Sequence, residues 1–328
     1  MRHAAIEFAS QVDQKWNAGE RFGAIFTTDM LNVAEFKGLL QTGAREIPVV
    51  VYFHENQLEY PNRVQAERDF HYGFTNFTSA LAAHAVWFNS RFNLDSFVGH
   101  LRSMLKRWPD FQPESAVEQV ACKGSIQAPG IEVPKSKPRD TAVDRPLHIV
   151  WAARWEHDKN PDDLLAIVKS LCDRGVSFVA SVVGQQYRKI PDSFDEIKEV
   201  LGERIANWGL VADRQQYFEL LGNADVFLST ANHEFFGIAA AEAIAMDCMP
   251  LLPNRLAYPE LLDVENFPER RNCLFDSVVE AVGILEKLGA NRYDFDGTIA
   301  TDIRAKYGWT QRANEMDAKL LRICAGDD

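Results

Sequence analysis

VFLSTANHEFFGIAAAEAIAMDCMP, residues 226–250, reads as a strand, a loop and a helix, and the rest of the chain can be placed around it. Val226, Phe227 and Leu228 form a short apolar β-favouring run, and Ser229 to Glu234 are polar. Gly237 then opens a segment of alanines with Ile244 and Met246 that Pro250 stops. This is half of a βαβ unit. Gly237 permits close approach of the backbone, and Ala239, Ala240 and Ala241 let the helix start pack tightly. The helix N-terminus presents unpaired N–H groups and a positive dipole end to an anion. Glu234 stands before this amide cup and Glu242 follows eight positions later, a turn or more into the helix. Between them they can address the two ends of a ligand whose phosphates lie in the middle.

Glu234 and Glu242, with Phe235-Phe236-Gly237 between, resemble the paired glutamates of retaining glycosyltransferases of the two-Rossmann-domain (GT-B) architecture. The segments YFHENQLEYP (52–61), RDFHYGF (68–74), FNSRFNLDSF (88–97), AARWEHDKNP (152–161) and NRLAYPELL (254–262) are similar to the tRNA-queuosine α-mannosyltransferase family, over nearly the whole chain. The resemblance implies an α/β fold of two Rossmann-like domains with a cleft between them. It also implies that Glu234 and the amides of Phe236, Gly237 and Ile238 hold the donor sugar and that Glu242 holds the nucleotide ribose. The donor it implies is GDP-mannose, and the acceptor is the queuosine of a tRNA. A lipid or small-molecule acceptor, or a non-catalytic nucleotide-sugar-binding protein, are the alternatives.

At 328 residues the chain has room for two domains, and 46% hydrophobic with 25% charged residues is ordinary for a globular protein. No run approaches the roughly 18 apolar residues of a membrane span, and no charged-then-apolar leader opens the chain. These features predict a cytoplasmic protein without stable membrane insertion. Cys122, Cys172, Cys248, Cys273 and Cys324 are scattered without a CxxC pair, which argues against a disulfide framework or a thiolate zinc site. The net charge of −12 disfavours non-specific polyanion binding while leaving room for a local basic patch. FVGHLRSMLKRW (97–108), with Phe97, Leu101, Met104, Leu105 and Trp108 on one face and Arg102, Lys106 and Arg107 beside it, reads first as a core helix with a solvated basic face, with contact to an RNA phosphate or to lipid as the alternatives.

The expected division is an N-terminal domain over 1–132, a Pro-rich linker over 133–146, a nucleotide-sugar domain over 147–305, and a returning helix over 306–328. Residues 1–20 read as a helix with Ile6, Phe8, Val12 and Trp16 inward, so the N-terminal domain is expected to lack its first strand. PVVVYFHENQ (48–57) is a continuous apolar run that turns polar at its C-terminal end, where ligands of open α/β sheets sit. His54, Glu55, Asn56 and Gln57 are therefore acceptor-side candidates, as are Asn89 and Arg91 after AVWFNS (85–90). From the residues alone His54 also reads as a structural histidine and Glu55 as a solvated acid; the resemblance places His54 near the donor sugar, in a catalytic role with Glu234.

LHIVWAARW (147–155) opens the second domain, and the loop after it starts a helix at Pro161. Arg154 and Lys159 project from that loop and suit a pyrophosphate, although surface salt bridging would use the same residues. Gly184 ends the strand FVASVVG (178–184) within reach of a base or diphosphate, and Asn207-Trp208-Gly209-Leu210 resembles the strand and turn that approach the base in these enzymes. There is no GxxxxGK[ST], GxGxxG or HExxH, and no DxD. With Arg, Lys and amides facing the leaving diphosphate, neither a metal nor another cofactor is required.

Overall fold

The computed structural model describes residues 3–58, 70–109, 112–134, 145–290 and 297–326. Most of the expected linker, and parts of the segments quoted at 52–61 and 68–74, lie outside the described residues. The chain forms two compact units, 1–129 with 312–328 and 130–311.

The first unit runs α1 (Ala4–Asn17), β1 (Ile25–Thr28), α2 (Val33–Leu39), β2 (Val49–Phe53), α3 (Phe70–Ala82), β3 (Ala85–Phe88), α4 (Arg91–Leu105), α5 (Glu114–Lys123) and β4 (Gly124–Ile126). Its four described strands are parallel, in the order β1-β2-β3-β4. β2 is an unbroken apolar run because both of its faces are covered. Val49, Val51 and Phe53 join the core with Phe36, Phe88, Phe97 and Leu101, while Val50 and Tyr52 point to the opposite side.

α1 corrects an expectation. Its inward stripe is Ala5, Ala9, Val12 and Trp16, whereas Ile6 and Phe8 are 53% and 47% exposed. The positions 5, 9, 12 and 16 repeat at helical spacing, and Ile6 and Phe8 fall off that line however apolar they are.

The second unit runs β5 (Leu147–Ala152), α6 (Pro161–Asp173), β6 (Phe178–Val183), α7 (Ser193–Leu201), β7 (Ile205–Gly209), α8 (Arg214–Asn223), β8 (Val226–Leu228), α9 (Ile238–Ala245), β9 (Met249–Pro253), α10 (Tyr258–Leu261), β10 (Leu274–Phe275), α11 (Val278–Ala290) and α12 (Gly297–Tyr307). Its parallel sheet has the order β10-β9-β8-β5-β6-β7. Chain order therefore reverses between β5 and β8, which are neighbours. In doubly wound sheets ligands bind outside the strand C-termini at this reversal. Trp151, Trp155, Phe178, Phe194 and Ile197 fill the core beneath it.

α13 (Trp309–Ala325) closes the chain. From Arg312 onward it belongs to the first unit, where Met316, Leu320 and Ile323 pack on Val50, Tyr52 and Trp87. The spacing 316, 320, 323 is one helical stripe, and it covers the second face of β2.

Candidate active site

At the β5/β8 reversal two strand-end loops are tied together by hydrogen bonds. Thr230 Oγ1 donates to the Lys159 carbonyl at 2.8 Å and accepts from Trp151 Nε1 at 3.0 Å. The Asp158 carbonyl accepts from the amides of Asn232 and His233 at 2.8 and 3.2 Å. A third strand end joins them. Arg255, after β9, donates to the carbonyls of Ala231 and Thr230 at 3.0 and 3.2 Å, and Tyr258 Oη meets Ser229 Oγ at 2.7 Å.

Lys159 sits in this lattice as a buried cation, 8% exposed, beside an equally buried Asp158. Its Nζ donates to the His233 carbonyl at 2.6 Å and lies 3.2 Å from Asp158 Oδ2 and 3.4 Å from Glu234 Oε2. Asn160, which caps α6 with its side chain on the Asp163 amide, adopts a left-handed φ of 54° that turns the chain sharply into Pro161. Glu234 Oε1 accepts from the amides of Gly237 and Phe236 at 3.2 and 3.5 Å, holding the loop that enters α9. The cavity lined by Lys159, Glu234, Gly237, Ala239, Ala240 and Tyr258 measures about 20 Å³. That is room for one water. The start of α9 itself is open, with Ile238 48% exposed.

Gly237 takes a φ of +91°, and a Cβ there would stand 3.0 Å from Tyr258 Cε1. α9 is apolar nearly all round and buried, and it carries Glu242 inside with 3% exposure. A buried carboxylate needs partners. Arg214, at the start of α8, bonds both Glu242 oxygens and also reaches Glu132 at 3.2 Å, and the Tyr217 side chain adds a hydrogen bond. Burial pushes the Glu242 carboxyl up, and Arg214 and Tyr217 counter it.

Three other candidates are placed less centrally. Arg154 is exposed and pairs with Glu156 at 3.1 Å, unlike its buried companion Lys159. Asn207 Nδ2 donates to the buried Ser181 Oγ at 3.0 Å, which turns it along the sheet, two residues short of the end of β7. Gly184 is required by backbone crowding. A Cβ there would lie 1.7 Å from the Ala153 carbonyl oxygen, at a φ of +154°. The carbonyl belongs to the loop after β5 and cannot rotate away as a side chain would. Gly184→Ala should therefore lose roughly 3 kcal/mol or more of stability, read as a lowered urea midpoint with an unchanged m-value.

In the first unit the end of β2 is set by amides. Asn89 Nδ2 donates to the His54 carbonyl at 2.7 Å, Asn93 Nδ2 to Phe53 O at 3.1 Å and Asn89 Oδ1 at 2.9 Å, and Asn56 Nδ2 to Asn93 Oδ1 at 2.9 Å. Asn56 and Asn89 thus position the loop from beneath, both buried. His54 is exposed, its ring edge-on to Tyr52 with centroids 4.6 Å apart, and partial desolvation lowers its pKa. Gln57 Nε2 bonds Glu55 Oε1 at 3.1 Å. Arg91 is exposed at the first position of α4, whose cap is Ser90 on the Asn93 amide at 2.9 Å. The basic end of α4 keeps Lys106 and Arg107 exposed, with Arg102 bonded to Glu118 at 2.6 Å.

Residues 1–131 match the family described as tRNA-queuosine alpha-mannosyltransferase N-terminal, and residues 133–266 match glycosyl transferases group 1. The tRNA-queuosine alpha-mannosyltransferase of Drosophila melanogaster is 36% identical over 282 residues, 83% of this chain and 73% of that protein. This chain belongs to the tRNA-queuosine alpha-mannosyltransferase family. It is a glycosyltransferase.

Two further likenesses bear on this queuosine mannosyltransferase family member. A GDP-mannose-dependent alpha-(1-6)-phosphatidylinositol dimannoside mannosyltransferase of Mycobacterium tuberculosis is 27% identical over 125 residues, 38% of this chain and 32% of that protein. Sucrose-phosphate synthase from Thermosynechococcus elongatus superposes with a TM-score of 0.68 at 15% identity, over 99% of this chain and 80% of that one, which establishes the GT-B fold. Among the described residues, no helix is long and apolar enough to cross a membrane, and no three His, Cys, Asp or Glu side chains gather as a metal site requires.

Sequence reasoning missed two charged residues of this family member. Arg214 lies in a polar stretch with no motif, and only the fold brings it to Glu242. Asp29 directly follows β1, as His54 follows β2, and its Oδ1 accepts from the His54 amide at 3.2 Å. The strand-end signal was present, in FGAIFTT followed by Asp29, but β1 is short and half-buried and drew no attention to its end.

Proposed function

We propose that this chain transfers mannose from GDP-mannose, with retention, to queuosine in a tRNA. The observation that carries the reading is the 36% identity to a protein named for that reaction, across 83% of the chain. The second unit supplies the donor logic. Lys159 and the N-terminal amides of α9 oppose the charge that develops on the leaving diphosphate. Glu234 acts at the sugar, and the Glu242–Arg214 pair addresses the ribose. His54 with Glu55, Gln57 and Arg91 supplies the acceptor side of the first unit.

The direct test offers labelled GDP-mannose with three acceptors: a tRNA carrying queuosine, the same tRNA carrying guanosine, and phosphatidylinositol vesicles. Label is expected on the queuosine tRNA alone. Transfer to the lipid, or to none of the three, overturns the reading.

The two glutamates should separate kinetically. Glu234→Gln removes charge where the sugar gains positive character, so kcat should fall by roughly 2–4 kcal/mol of barrier with KM little changed. Glu242→Gln should mainly raise the KM for the donor, because the ribose is the same in ground and transition states. Saturation kinetics of both variants checks the assignment; a pure KM effect at Glu234 would reverse it.

A further inference from the structure

Asp29 is a carboxylate with an unmet need. It is 3% exposed, and one oxygen, Oδ2, is buried without a hydrogen-bond partner, although Oδ1 accepts from the His54 amide. Its own carbonyl is fixed by Asn76 Nδ2 at 2.9 Å, and its amide by the Tyr52 carbonyl at 3.0 Å, so the backbone cannot turn the side chain toward another partner. A buried acceptor left in this state costs free energy unless a ligand completes it.

A ligand has room to do so. Asp29 lines a cavity of about 580 Å³ together with Glu35, Gln57, Tyr72 and Asn76, all within the first unit. That volume suits a nucleobase-sized group. The lining also decides the charge. Two carboxylates face it, and His71 is the one basic side chain among its described residues. Tyr72, 44% exposed, adds an aromatic surface of the kind that attracts a cation. A phosphate would be repelled here, whereas an ammonium would be attracted by the Asp29 and Glu35 carboxyl groups.

We propose that the cavity over Asp29 is a subsite for a protonated aliphatic amine of the acceptor, with the Asp29 carboxyl group as its partner. The inference rests on the acceptor reading above, because queuosine carries an aminomethyl-linked cyclopentenediol that guanosine lacks, and its amine is the cationic part of that group. Burial has raised the Asp29 carboxyl to about 7, with the charge of Glu55 adding to the effect, so a cation beside it would favour the carboxylate form. Asp29 thereby selects the acceptor by charge, one residue past the end of β1 and bonded to the backbone of His54.

The test measures dissociation constants of the full chain for a tRNA carrying queuosine and for the same tRNA carrying guanosine. The unaltered chain should prefer queuosine by roughly tenfold or more, one charge-assisted hydrogen bond being worth about that. Asp29→Asn, which keeps the acceptor for the His54 amide, should bring the two constants within about twofold of each other. Thr75→Phe, which fills the same cavity without touching the charge, should do likewise. Far-ultraviolet circular dichroism establishes that both variants are folded. If the unaltered chain discriminates and both variants still do, the subsite is overturned while the acceptor reading stands. If the unaltered chain shows no preference, the acceptor reading falls and takes this inference with it.

Discussion

Lys159→Met should unfold at a markedly lower urea concentration than the unaltered chain, with a loss of about 3–5 kcal/mol, the usual result of removing one partner from a buried ion pair. The substitution keeps the apolar stem and deletes only the ammonium. What remains is Asp158, 8% exposed, whose Oδ2 has the 3.2 Å ion pair and no hydrogen bond, together with the His233 carbonyl that loses its 2.6 Å donor. For a unit of this size such a loss corresponds to roughly 10 °C in Tm. The double variant Lys159→Met/Asp158→Asn should recover part of the stability, since neither charge is then stranded. Activity should not recover with it. Should the single variant lose under 1 kcal/mol, water reaches this pair and the loop lattice is looser than described.

Asp29→Asn should stabilise the protein at pH 8 and hardly alter it at pH 4. The Asp29 carboxyl stands at about 7 in the fold against an ordinary 3.8, with burial as the largest cause. Between those values the native chain holds a proton that the unfolded chain has released, so the contribution of Asp29 to stability falls as pH rises through this window and levels off above it. About three units amount to roughly 4 kcal/mol at full extent. Asparagine does not titrate, and the difference between the variant and the unaltered chain should grow from near zero at pH 4 to that order at pH 8. Urea melts at the two pH values decide it. A difference independent of pH would mean that the carboxyl is solvated and titrates normally.

Much of the fold could be read from the sequence because its strands are buried on both faces and announce themselves as runs: VVVYF in β2, FVASVV in β6, VFL in β8. The helix start at Pro161 was equally clear, whereas Ser90, which caps α4, was read only as the polar end of a strand. The failures have one physical origin. On α1, Ile6 and Phe8 are larger than Ala5 and Ala9, yet the close approach of helix to core selects the small pair. At the site, Glu234 and Glu242 were found by their spacing across one loop and the helix after it, whereas the partner that occupies Glu242 comes from α8 and the groups around Lys159 come from two loops. A spacing rule records neighbours along one helix or strand. It holds nothing about which charge another element will bring, and that decided the surroundings of Glu242, Lys159 and Asp29.

The first unit is assembled from both ends of the chain, with residues 130–311 forming the other unit between them. A ribosome adding ~5–20 residues per second needs on the order of ten to forty seconds to cross that span. Throughout that interval the nascent N-terminal sheet has no α13 to lay over Val50, Tyr52 and Trp87. The face left bare is apolar, aromatic and strand-borne, the kind that pairs with other chains when left waiting. Synthesis of this protein therefore contains a built-in vulnerable period, which ends only when Met316, Leu320 and Ile323 emerge. Its yield in a cell should depend on translation speed and on chaperone supply more steeply than its final stability would suggest.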